Sequence, residues 1–120
     1  MTIETLPFSI TVSDLTEAQG IVKFENNQLK FEFQLIGLFK SELEIKQANL
    51  AIAQIESVKL EKKLFGTYLL IRARSLKAVK EIPGTNRADI KLKLARRDLP
   101  AAEAIASKIA LSISEYQLEN

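Results

Sequence analysis

The sequence predicts a mainly β domain, with seven short strands followed by one C-terminal helix. Two observations carry this reading. Through most of the chain apolar side chains recur at every second position, in short runs separated by Gly, Asn or Pro, which is the period of a half-buried strand. After Asp98 the period lengthens to that of one helix face. The 120 residues, 47% hydrophobic and 27% charged, suit a single domain spanning 1–120 with a core large enough to fold without staples.

The elements follow in order. Phe8, Ile10 and Val12 alternate with small polar residues in a first strand, about Leu6 to Ser13. A polar turn comes next, with Gly20 placed for a positive-φ position. Ile21 to Glu25 and Leu29 to Ile36 flank Asn26-Asn27, a pair that tolerates the left-handed region and suits a tight hairpin. In the third strand Leu29, Phe31, Phe33 and Leu35 face one way, and Lys30, Glu32 and Gln34 the other. A loop from Gly37 to Ser41 leads to a fourth strand, about Glu42 to Ala51, with Leu43 and Ile45 opposite Glu42, Glu44 and Lys46.

The fifth strand, about Ile55 to Lys62, buries Val58 and Leu60 and exposes Lys59 and Glu61. Gly66 marks a turn into the sixth, Thr67 to Arg74, with Leu69, Ile71 and Ala73 inward and Tyr68, Leu70, Arg72 and Arg74 outward. The connection from Ser75 to Arg87 contains Pro83-Gly84, a strong turn signal, and one helical turn within Leu76 to Glu81. The seventh strand, Ala88 to Arg96, buries Ile90, Leu92 and Leu94 and exposes Asp89, Lys91 and Lys93.

Asp98 suits a helix N-cap, and Pro100 fits the first turn, whose amides lack intrahelical partners. At about 100° per residue, Ala102, Ile105, Ala106, Ile109, Ile113 and Tyr116 form one stripe. That stripe needs an apolar surface, and the open end of a curved antiparallel sheet would supply it.

Composition narrows the chemistry. Without cysteine there is no disulfide, thiolate nucleophile or cysteine metal site, and without histidine the commonest neutral-pH base and zinc ligand are absent. Carboxylates, lysine, tyrosine and serine remain, but no spacing among them suggests an acid–base pair, a phosphate loop or a metal cluster. The longest uncharged runs, Thr5 to Ser13 and Gln47 to Ile55, fall far short of the roughly 20 apolar residues of a membrane-spanning helix. The N-terminus has no basic segment followed by an apolar one, so the cytoplasm is the expected location.

The stretches GIVKFENNQLKFEF, IAQIESVKLEKKLFG leading into YLLIRAR, and IKLKLARRDLPAAEAI resemble small bacterial pleckstrin-homology-like (PH-like) proteins, from Gly20 to the C-terminal helix. Seven strands followed by one helix is also that family's order of elements. The resemblance implies a partly open barrel of seven antiparallel strands in two nearly orthogonal sheets, capped by the helix. It implies no catalysis; no cofactor is expected. It implies instead binding of lipid, peptide or protein, or self-assembly. The usual phosphoinositide site does not carry over. The first inter-strand loop reads SDLTEAQG, with Asp14 and Glu17 and no basic residue, and only Lys23 lies nearby. The helix also lacks the tryptophan common in eukaryotic members.

Charge is segregated along the chain, although its total is only +2. Residues 1–56 hold 4 basic and 8 acidic residues, net −4; residues 57–97 hold 12 and 3, net +9; residues 98–120 hold 1 and 4, net −3. If strands five to seven are neighbours, Lys59, Arg72, Arg74, Lys91 and Lys93 share one outer face. That face suits an anionic lipid surface or an acidic partner. The alternative is a solvated face, paired with Glu61 and Asp89, that discourages edge aggregation. No aromatic ladder interleaves the basic residues, so nucleic acid is not an expected partner.

Two loop tips, Leu38-Phe39 and Leu64-Phe65, each lie between a glycine and a lysine. Phe39 and Phe65 either plug corners of the barrel or contact another subunit or a membrane. Leu111 and Leu118, seven residues apart on the helix face away from the stripe, are either isolated exposed leucines or a second docking stripe. The expected function is a non-catalytic binding or scaffold domain acting through protein contacts, including contacts with itself. The alternative is peripheral binding to an anionic membrane surface through the basic 57–97 face.

Overall fold

A computed structural model describes residues 4–37, 44–85 and 87–119. The strands are β1 (Thr5–Ser13), β2 (Thr16–Glu25), β3 (Gln28–Gly37), β4 (Lys46–Ala51), β5 (Ile55–Lys63), β6 (Gly66–Ala73) and β7 (Asp89–Leu94), and α1 spans Leu99–Glu119. All neighbours are antiparallel, in the order β4-β3-β2-β1-β7-β6-β5. The result is a partly open barrel capped by the helix. It does not divide into two sheets. Four strands and three strands join through one residue pair between β1 and β7, Ser9 with Lys93.

The alternation places the core. Leu6, Phe8 and Ile10 of β1, Leu29, Phe31 and Phe33 of β3, and Leu69, Ile71, Ile90 and Leu92 of β6 and β7 are buried. Phe8 and Phe31 meet edge to face at 6.0 Å, a favoured aromatic geometry. From α1 the stripe contributes Ala102, Ile105, Ile109 and Ile113, with Ala106 and Tyr116 partly buried beside it. The helix lies mainly over β5 and the 3₁₀ turn at Ile52–Gln54, where the sheet leaves its core open. It starts directly after Asp98, which itself closes a 3₁₀ turn at Arg96–Asp98.

Several expectations are corrected. Val12 is exposed, because the β1–β2 register shifts between Thr11 and Ser13 and ends the alternation. Ile45 is also exposed, since β4 begins only at Lys46; Leu43 lies outside the described residues. Val58 and Leu60 are partly rather than fully buried, as β5 is the outermost strand of the order. Gly20 sits inside β2, paired with Phe8 on one side and Phe33 on the other, and the chain turns earlier, at Asp14-Leu15. A Cβ at Gly20 would lie 1.8 Å from the Glu32 carbonyl oxygen, so close backbone approach is what requires glycine there.

Other local signals are met. Asn26 and Asn27 both take positive φ, at 54° and 58°, and close the β2–β3 hairpin. The connection after β6 forms a 3₁₀ turn at Lys77–Val79 and seats Val79 and Ile82 in the core.

Candidate functional site

Strands β5, β6 and β7 set the outer face in cross-strand rows. Lys59 lies opposite Leu70, which lies opposite Lys91; Glu61 lies opposite Tyr68, which lies opposite Lys93, and Lys93 reaches Ser9 of β1. Ser57, Arg72 and Asp89 form the third row. Side chains alternate strictly across a pleated strand, so this pairing brings Lys59, Arg72, Lys91 and Lys93 to one surface. Arg74 follows one residue past β6, exposed and outside the paired rows, with its N–H donated to the Gln54 carbonyl.

These cations are not equivalent. Arg72 makes a two-pronged contact with Asp89, Nε to Oδ1 at 2.8 Å and Nη2 to Oδ2 at 3.3 Å. The hydrogen bond from Arg72 holds the Asp89 carboxyl below its ordinary range, and Asp89 in turn raises the guanidinium further. Lys62 pairs with Glu103 of α1 at 3.4 Å, and Lys63 with Glu61 at 4.0 Å. Among the described residues, Lys59, Arg74, Lys91 and Lys93 make no ion pair. The other end of the sheet shows the opposite pattern. There Glu25 accepts a hydrogen bond from Lys30 and lies 3.5 Å from Lys23, and the Lys30 bond holds its carboxyl low.

Tyr68 organises the face, a role the expectation for this surface omitted. Its ring carries the Lys91 ammonium at 4.3 Å and the Lys63 ammonium at 5.7 Å from the centroid, both within cation–π range. The outward position of Tyr68 in β6 was legible from alternation. Its lysine partners depended on the β6–β7 register.

The β5–β6 hairpin ends in a two-residue turn, Leu64-Phe65, between the pair Lys63 and Gly66. Leu64 is 79% exposed and Phe65 90% exposed. Phe65 therefore does not fold back to plug the barrel. Neither residue takes positive φ, and tight turns favour Gly, Asn or Asp, so turn chemistry does not call for two large apolar side chains here. Phe39 lies outside the described residues. Leu111 and Leu118 are exposed on α1, opposite the buried stripe and about 10 Å apart along its axis.

Among the described residues no three carboxylates gather as a metal site, and no helix is long and apolar enough to cross a membrane. No known family model matches the chain, and neither a curated protein nor a solved structure matches it.

Proposed function

We propose that this chain is a non-catalytic, PH-like binding or scaffold module that acts through protein contacts, self-association among them. The observation that carries the reading is the Leu64-Phe65 tip, held out at the end of a paired hairpin with the two residues 79% and 90% exposed. Burying a leucine or phenylalanine contributes about 1.5–3 kcal/mol, so a tip of this kind gains most when a partner covers it. The two cations beside the tip, Lys62 and Lys63, already face Glu103 and Glu61. That favours an apolar protein contact over an electrostatic landing on lipid.

Analytical ultracentrifugation tests this. The wild-type chain at high micromolar concentration is expected to sediment as a dimer or larger, and the double variant Leu64→Ser, Phe65→Ser as a monomer. Leu111→Ser with Leu118→Ser tests the helix surface in the same way. A monomeric wild type overturns self-association.

A second reading, peripheral binding to an anionic membrane, is favoured by Lys59, Lys91 and Lys93 on one face, which make no ion pair among the described residues. Each cation near an anionic leaflet contributes about 1 kcal/mol at modest salt. In this reading the chain co-sediments with phosphatidylserine vesicles at low salt and is released at high salt. Equal binding to neutral vesicles, or binding to neither, removes it.

A further inference from the structure

We propose that the seam between β1 and β7 is a binding site for a phosphate monoester, a site distinct from any apolar contact at the hairpin tip. Because β1 and β7 share only the Ser9–Lys93 pair, the sheet opens beside it into a surface concavity of about 500 Å³. Its floor is the outer face of β6 and β7, with Tyr68, Lys91 and Lys93; one wall is Ser9 and Thr11 of β1. Gly84 closes one end. With φ of +69° and a Cβ position only 2.6 Å from the Thr11 carbonyl oxygen, no larger residue fits there without strain.

The chemistry facing this space is that of an oxyanion receptor. Two ammonium groups without carboxylate partners among the described residues stand on alternate residues of one strand. The Tyr68 ring holds the Lys91 ammonium at 4.3 Å, which reduces the freedom a bare surface lysine would lose on binding. The hydroxyls of Ser9 and Thr11 add neutral donors beside the same opening. Glu61 and Asp89 also border the concavity, but each faces a cation of its own, Lys63 and Arg72. Two ammoniums match a dianion, and the space exceeds a bare phosphate, leaving room for an esterified group against Leu70. Such an ester comes either as a free metabolite or as the headgroup of a lipid monoester.

The test is an amide-resolved NMR titration of the full chain with inorganic phosphate and with glycerol 1-phosphate, glycerol serving as control. Vesicles of phosphatidic acid in phosphatidylcholine test the lipid source. Saturable shifts confined to Ser9, Thr11, Tyr68, Lys91 and Lys93 are expected. The variant Lys91→Gln, Lys93→Gln should bind at least about tenfold more weakly, and Lys23→Gln, Lys30→Gln on the far face should bind like wild type. Both pairs are surface changes, so folding is retained and checked from the same spectra. Saturation by the soluble ester without vesicle binding supports the site with a free ligand; saturation by both supports a headgroup. Shifts that never saturate, or equal affinity in the Lys91/Lys93 variant, overturn the proposal. So does vesicle binding without the soluble-ester response, an outcome that leaves the membrane reading standing.

Discussion

Replacing Gly20 by alanine is expected to destabilise the protein by about 3 kcal/mol, seen as a fall of roughly 10 °C in Tm. The added methyl would lie 1.8 Å from the Glu32 oxygen and 2.7 Å from the Phe33 Cα, both backbone atoms that cannot rotate away. β2 would have to leave β3 at the pair that carries Phe33 into the core, and Phe8 lies directly across on β1. Gly66→Ala is the matched control. The three atoms nearest a Cβ there all belong to the Tyr68 side chain, at 2.9 Å and beyond, and the ring can turn aside. Thermal unfolding followed by circular dichroism should therefore separate the two variants clearly. Equal melting temperatures would show that β2 does not approach β3 as described.

The second large effect is expected at Ile109. It is fully buried in the centre of the α1 stripe, where the helix covers the open side of the sheet. Ile109→Ala should cost about 2–5 kcal/mol, because the lost methyl groups leave a cavity between two packed elements. Leu111→Ala, two residues on and 61% exposed, should stay within about 0.5 kcal/mol. Urea unfolding at a concentration low enough to keep the chain monomeric measures both. An Ile109 variant as stable as the Leu111 variant would mean that the helix is not docked by this stripe.

These two residues show how unevenly the fold was written in the chain. The helix stripe was legible because 3.6-residue periodicity belongs to a single segment: Ala102, Ile105, Ile109 and Ile113 declare one face before any partner is known. The Asn26-Asn27 hairpin was equally local, since positive φ is a property of the residue itself. Gly20 lies in a strand and not in the expected turn because the atom that excludes a side chain there, the Glu32 oxygen, is twelve positions away across a pairing no local signal announces. The exposure of Val12 and Ile45 has a related cause. Alternation says which residues share a face, but not where a bulge or a strand end stops that face from being buried.

The seven strands, the terminal helix and the concentration of positive charge within residues 57–97 all follow from side-chain type and spacing along the chain. What that charge is free to do depends on the three-dimensional arrangement. Strand register neutralised Arg72 against Asp89, left Lys91 and Lys93 without carboxylates among the described residues, and set Lys91 on the Tyr68 ring. The single bridge between β1 and β7 then brought Ser9 and Thr11 to the same opening as Lys91 and Lys93, which lie about eighty residues further along the chain. Charge interacts through space and is screened over about 10 Å at ordinary salt, so its consequences depend on which residues the fold makes neighbours.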